Sequence, residues 1–91
     1  MEDDEIVAVI KFPNLTINVD SFKNFGIVLP TTIFWIKKRI EDNKILYTSR
    51  DENADENFGN TTIKKVAKKI YNWLRSDECV RSVGKYEIEL R

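Results

Sequence analysis

Residues 61–75 read TTIKKVAKKIYNWLR, and their apolar side chains recur with the period of an α-helix. Successive helical residues are rotated by about 100°, so residues three or four apart share a face. The apolar face comprises Ile63, Val66, Ala67, Ile70, Leu74 and, beside them, Tyr71. The pattern predicts an amphipathic helix over 61–76 that is capped by Asn60 or Thr61 and ends near Ser76–Glu78, with a further turn as far as Ser82 as an alternative.

The other face of this helix is basic. It comprises Lys64, Lys65, Lys68, Lys69, Asn72 and Arg75, and no acidic residue interrupts it. The chain as a whole is neutral, because 15 basic side chains balance 15 acidic ones. The sequence therefore predicts a locally cationic surface on a protein without net charge.

Alternating or continuous apolar residues indicate β-strands in the rest of the chain. The segments are Ile6–Phe12, Leu15–Val19, Thr32–Ile40, Lys44–Arg50 and Lys85–Arg91. Both faces of Ile6–Phe12 are apolar near its start, which is typical of a strand paired on both sides. Pro13 and Asn14 favour a turn, so the first two strands are expected to form a hairpin.

Thr32–Ile40 and Lys44–Arg50 are expected to form a second hairpin, with Asp42 and Asn43 at the turn and Glu41 opposite Lys44. This register predicts an inward face of Phe34, Ile36, Ile40, Ile45 and Tyr47. It predicts an outward face of Trp35, Lys37, Arg39, Leu46, Thr48 and Arg50. The polar segment Arg50–Asn60 is expected to be a loop, and Tyr86, Ile88 and Leu90 are expected to point inward from the last strand.

These elements predict one α+β domain over residues 1–91 in the order β-β-β-β-α-β. A mostly antiparallel sheet of four to five strands would be packed by the C-terminal amphipathic helix. One such helix covers only one face of an open sheet. The other face would then bind a partner, unless the sheet curls into a partial barrel.

Composition excludes several chemistries. The chain has no histidine and one cysteine, Cys79, so histidine-based nucleophile systems and the usual zinc sites cannot form. Asp51, Asn53 and Asp55 have the spacing that opens a calcium loop, but Glu56 replaces its glycine and Thr62 its bidentate glutamate. We therefore expect no enzyme activity, no metal site and no cofactor.

Trp35, Lys37 and Arg39 are the first candidate site. Tryptophan and arginine are enriched among the residues that dominate protein interfaces. An exposed Trp35 beside two cations therefore favours a non-catalytic protein-binding module: an adaptor, an assembly subunit or an inhibitor whose partner has a charged surface. The alternative is that Trp35 belongs to the core of a curled sheet.

The basic helix face is the second candidate, with Lys64, Lys65, Lys68, Lys69 and Arg75 binding nucleic-acid phosphates. Tyr71 and Trp73, at the edges of this face, would stack on bases. The last strand forms a sheet edge, which allows a homodimer. The acidic start of the chain and the lack of a long apolar run predict a cytoplasmic protein without a membrane partner.

Overall fold

The computed structural model describes residues 5–19, 26–38, 45–51 and 54–91, which form eight strands and one helix. The strands are β1 (Glu5–Phe12), β2 (Thr16–Asn18), β3 (Gly26–Val28), β4 (Thr32–Lys38), β5 (Ile45–Asp51), β6 (Ala54–Asn60), β7 (Val80–Ser82) and β8 (Glu87–Leu90). Helix α1 (Ile63–Ser76) lies between β6 and β7.

Strand β1 lies inside a five-stranded antiparallel sheet with the order β6-β5-β4-β1-β8. It pairs with β4 on one side and with β8 on the other. Val9 and Ile10 are both buried, although they point to opposite faces of the sheet. The predicted strand with two apolar faces is therefore confirmed as an interior strand.

Helix α1 begins after Thr62, which has an extended backbone and whose hydroxyl accepts a hydrogen bond from the Lys65 amide at 3.3 Å. It ends at Ser76, as predicted, and the Asp77 amide donates to the Leu74 carbonyl at 3.3 Å. The cap was predicted one or two residues too early. The alternative of a further helical turn is wrong, because residues 80–82 form β7.

The core lies between α1 and the inward face of the large sheet. Its buried side chains are Ala8, Ile10, Phe12, Leu15, Ile36, Leu46, Phe58, Val66, Ala67, Ile70, Leu74 and Val83. The Phe12 ring meets the ring of Phe34 edge-on at 5.8 Å and that of Tyr86 at 5.5 Å. The helix therefore buries its predicted apolar face against strands from both halves of the chain.

The predicted hairpin between the first two strands is wrong. Both edges of β1 are occupied by β4 and β8, so β2 has no edge of β1 to pair with. Instead β2 lies in a second, three-stranded antiparallel sheet with the order β3-β2-β7. Leu15 and Val83 connect this small sheet to the common core.

The predicted loop over 50–60 is wrong over Ala54–Asn60, because β6 pairs antiparallel with β5 there, and residues 52 and 53 lie outside the described residues. An edge strand needs little apolar alternation, and the pairing is interrupted by register shifts. Phe58 nevertheless reaches the core and stacks on Trp73 at 5.5 Å. Gly59, with φ +69°, and the bond from its amide to the Asn57 side chain at 2.8 Å shape this irregular strand.

The second hairpin forms between β4 and β5, but its register differs by one residue from the prediction. Lys37 opposes Tyr47 and Lys38 opposes Leu46, whereas the predicted turn would have placed Lys38 opposite Tyr47. A shift of one residue exchanges the two faces of a strand. Leu46 and Thr48 are consequently buried, not outward as predicted. The predicted turn at Asp42 and Asn43 lies outside the described residues.

Strand β8 confirms part of its predicted alternation. Tyr86, just before it, and Ile88 pack against the core, but Leu90 is 71% exposed instead of inward. The reason is that β8 is the last strand of the large sheet. The α+β class with antiparallel sheets and one helix is confirmed. The described residues form two sheets, and neither is closed into a barrel.

Replacing Ile70 tests this packing. Ile70→Ala should lower the free energy of unfolding by about 2–5 kcal/mol and Ile70→Val by about 0.5–1.5 kcal/mol, because a cavity forms under the helix. Lys69→Ala, at an exposed neighbouring position, should change it by less than about 0.5 kcal/mol. Urea unfolding followed by circular dichroism measures all three, and equal effects at both positions would contradict the packing.

Candidate functional site

The outward face of the large sheet, which points away from α1, is the candidate site. Strand alternation places Ile6, Val9 and Lys11 of β1, Ile33, Trp35 and Lys37 of β4, and Glu87 and Glu89 of β8 on it. Ile6 is 39%, Ile33 42% and Trp35 43% exposed. The sheet therefore presents apolar side chains to solvent on the face that the helix does not cover.

Val9 lies at the centre of the outward face and is only 1% exposed, although it is not part of the main core. In the strand register it lies between Trp35 on β4 and Glu89 on β8. Neighbouring strands are about 4.8 Å apart, so large side chains on both sides can close over a valine. The outward face thus has a small apolar centre of its own.

A chain of polar contacts holds the side chains around this centre. The Lys11 ammonium donates to one Glu89 carboxylate oxygen at 2.8 Å, and the Arg91 guanidinium contacts the other at 3.2 Å. The same guanidinium lies over the Trp35 ring, 5.4 Å from its centroid. The Trp35 ring is therefore positioned from β8 through Arg91.

Glu89 lies between these two cations. The hydrogen bond and charge of Lys11, and then the charge of Arg91, lower the pKa of the Glu89 carboxyl below its ordinary value. The carboxylate is therefore ionised at neutral pH, which keeps both contacts in place. At the other end of the sheet, Lys38 pairs with Glu5 at 3.6 Å.

The structure brings together two of the three residues predicted for this site. Trp35 and Lys37 lie two residues apart on β4 and share the outward face. Arg39 lies outside the described residues. The alternative in which Trp35 belongs to the core is wrong, because Trp35 is an exposed residue and is not part of the core cluster.

Sequence reasoning missed Lys11, Glu89 and Arg91 as neighbours of Trp35. Lys11 and Glu89 are 78 residues apart, and they meet only because β8 pairs with β1. The alternation of β4 would have added Ile33 to the Trp35 face. Nothing local in the sequence indicates that the last strand lies beside the first.

The basic helix face is exposed, as its periodicity predicts. Lys64, Lys65, Lys68 and Lys69 all face solvent, and no carboxylate of the described residues lies within 4.0 Å of their ammonium groups. Arg75 is exposed and lies over the Tyr71 ring, 5.6 Å from its centroid. Since α1 packs on the inward face of the large sheet, the basic helix face and the outward face of the sheet point in opposite directions.

The two aromatic residues expected to stack on bases are engaged elsewhere. Trp73 is half-buried against Phe58, with the two rings 21° from parallel. Tyr71 contacts Tyr86 at 5.8 Å in addition to Arg75. A cleft of about 510 Å³ lies between Tyr71 and Arg75 of α1 and residues 80–84, beside this end of the helix.

Within the described residues, no three side chains of the histidine, cysteine, aspartate or glutamate type come together as a metal site. Cys79 is exposed, and its amide is bound by the Asp77 carboxylate at 2.8 Å. In this part of the chain no helix is both long and apolar enough to cross a bilayer.

Comparison with protein-family models, with curated proteins and with solved structures finds no match for this chain.

Titration of Glu89 tests the polar contacts among Lys11, Glu89 and Arg91 on the outward face. Its carboxyl should titrate below the value of about 4.3 that is ordinary for glutamate. Because this pKa is lowered by folding, the stabilisation is complete above about pH 4.3 and is lost as the pH falls through the folded-state value. Carbon-detected NMR of the side-chain carboxyl measures the midpoint.

Lys11→Ala should raise that midpoint toward the ordinary value, because it removes the largest cause of the shift. Lys37→Ala, on the same face but without contact to Glu89, is the matched control and should leave the midpoint unchanged. A wild-type midpoint at the ordinary value would contradict the network.

Proposed function

We propose that this protein is a small non-catalytic protein-binding module, acting as an adaptor, an assembly subunit or an inhibitor, and that it binds its partner through the outward sheet face around Trp35. One observation carries the proposal. Trp35 is 43% exposed on a sheet face that the helix leaves uncovered, and its ring is held in place by Arg91.

The fixed position of the Trp35 ring supports a binding role. Fixing a mobile side chain at an interface costs about 0.5–1.5 kcal/mol, and a ring that is already fixed avoids much of this cost. Arg91 lies on Trp35 and is itself held by Glu89, so the anchor is formed before any partner arrives. Tryptophan and arginine are also the residues that most often dominate binding energy.

The charges around the apolar centre indicate what kind of surface fits. Lys11 and Arg91 are satisfied by Glu89, while Lys37 has no carboxylate within 4.0 Å among the described residues. A polar rim around an apolar centre is the usual anatomy of a protein interface. The complementary partner surface has an apolar recess for Trp35 and a carboxylate for Lys37.

Trp35→Ala should abolish capture of the protein partner from an extract of the native cells, because the substitution removes the central anchor. Ile27→Ala is the matched control, since Ile27 is an apolar residue 50% exposed on the small sheet. Quantitative mass spectrometry of the captured proteins, with and without nuclease, measures the loss. Retention of the same partner by Trp35→Ala, or loss of all bound material on nuclease treatment, would contradict the proposal.

Thermal unfolding of the same two variants separates binding from folding. Trp35 is not part of the main core, so its replacement should leave a cooperative transition. A variant that no longer unfolds cooperatively would mean that Trp35 is a structural residue.

Nucleic-acid binding through the basic helix face is the second candidate function. The observation that favours it is the row of four exposed lysines without a nearby carboxylate in the described structure. Against it stand the neutral charge of the chain and the engagement of Trp73 with Phe58. It is therefore the weaker of the two.

Salt dependence tests this second function. Binding of a labelled oligonucleotide through phosphates should weaken log-linearly with salt, with a slope of about −0.7 to −0.9 for each phosphate contact. Lys64→Ala/Lys68→Ala should weaken binding of all sequences alike and flatten the slope by about two contacts, whereas Lys85→Ala should change little. Fluorescence anisotropy gives both quantities, and a slope that is the same in the double variant would exclude the helix face.

A further inference from the structure

The large sheet has two edges, and they differ in regularity. At one edge, β6 pairs with β5 through two register shifts. At the other, β8 pairs with β1 over four consecutive residue pairs without a shift, and it contains neither proline nor glycine. Natural proteins usually protect a regular edge strand, because its unpaired backbone groups can bind another strand.

The hydrogen-bond pattern shows which backbone groups of β8 face this open edge. The Arg91 amide donates to the Val7 carbonyl at 3.0 Å, so Arg91 and, by alternation, Glu89 bond toward β1. The amides and carbonyls of Ile88 and Leu90 then point away from the sheet. Two residues of β8 thus offer a complete set of donors and acceptors to a new strand.

An apolar side chain marks the same edge. Leu90 is 71% exposed, the highest value among the large apolar residues of the described chain, although its neighbour across the strand pair, Ala8, is fully buried. Ile88, on the same face, packs against the core. The inward apolar row of the sheet therefore extends onto its edge strand, where Leu90 is left exposed.

We infer that β8 pairs antiparallel with β8 of a second copy of this chain, across a two-fold axis perpendicular to the sheet. In the register that we assign, Ile88 opposes the second copy's Leu90, Glu87 opposes the second copy's Arg91, and the two Glu89 residues meet at the axis. Ile88 and Leu90 form the hydrogen-bonded pairs, and their backbone amides and carbonyls at the open edge supply the bonds.

Side-chain complementarity selects this register over its neighbours. It gives two Glu–Arg pairs and two Ile–Leu pairs, and opposite charges and apolar pairs stabilise directly facing positions. A shift of two residues in one direction would oppose Glu87 to Glu89 and Lys85 to Arg91, which are like charges. A shift in the other direction would oppose Leu90 to itself and Glu89 to Arg91, so that Ile88 no longer faces an apolar partner among the described residues.

The facing Glu89 residues are tolerated because each carboxylate is already bound by two cations. Lys11 and Arg91 contact its two oxygens at 2.8 and 3.2 Å. The two carboxylates at the axis are thus surrounded by four cationic groups. The lowered pKa of Glu89 reflects the same contacts.

The paired sheets would form one ten-stranded sheet. A two-fold axis perpendicular to the sheet keeps both Trp35 faces on one side and both basic helix faces on the other. This inference does not depend on the proposed function, because pairing uses the backbone groups and side chains of β8 and Arg91, and it uses neither Trp35 nor Lys37. Trp35→Ala should therefore leave the dimer intact.

Sedimentation equilibrium over a concentration series reaching roughly millimolar tests for the dimer, since a weaker complex would have a binding free energy below about 4 kcal/mol. We expect a monomer–dimer equilibrium whose dissociation constant rises by at least about tenfold in Leu90→Asp, a loss of about 1.4 kcal/mol. Ile27→Asp, at an exposed apolar position on the other sheet, is the matched control and should leave it unchanged. A monomer throughout, or a dimer insensitive to Leu90→Asp, would overturn the inference.

Disulfide trapping tests the register. In a Cys79→Ser background, which removes the exposed native thiol, Glu89→Cys should cross-link to itself, because facing residues of a pair without hydrogen bonds bring their Cβ atoms to about 4.5–5.5 Å. Ile88→Cys and Leu90→Cys, which would meet at the axis in the two shifted registers, should cross-link at least about tenfold less. Preferential cross-linking of either one would overturn the assigned register.

Discussion

The burial of the apolar face of α1 against β1 is the contact on which the rest of this structure depends. Ile70 and Val66 from the helix and Ile10 and Phe12 from the strand are completely buried, and they belong to one cluster. Full burial of such a side chain contributes about 1.5–3 kcal/mol, whereas each exposed ion pair contributes at most about 1 kcal/mol. Apolar packing therefore decides where the helix lies, and the charges occupy what remains at the surface.

Two consequences for function come from that single contact. Since the helix covers the inward face of the large sheet, its lysines must face solvent and the Trp35 face must remain uncovered. The two candidate surfaces thus lie on opposite sides of the molecule. A protein partner on one side would leave the other side accessible.

Local patterns predicted the elements that bury a continuous apolar face. The periodicity over 61–75 gave the helix to within two residues at each end, and the doubly apolar segment 6–12 gave the interior strand. Elements with little apolar alternation were missed. Strand β6 is polar, and β7 has only three residues, so neither has an alternation long enough to recognise. The faces of β5 were exchanged because a hairpin register depends on the turn, and Asp42-Asn43 does not specify one.

The candidate site was predictable to the same extent. Trp35 and Lys37 could be placed on one face from their spacing on a single strand. Trp35 is held by Arg91, which is in turn held by Glu89, and Glu89 bonds to Lys11, 78 residues away in sequence. No local rule supplies these contacts. Long-range pairing must be known before Lys11, Glu89 and Arg91 can be assigned to the same surface.

The burial of Val9 has a consequence for how this molecule opens. Strand β1 is bonded on both edges and covered on both faces, by the helix-facing core on one side and by Trp35 and its neighbours on the other. Amide protons exchange with solvent only when their hydrogen bonds open, and the slowest ones report global unfolding. The amides of Val9 and Ile10 should therefore be the last to exchange, while those of the edge strands β3 and β6 exchange through local opening. The centre of the outward face around Val9 thus belongs to the most persistent part of the fold.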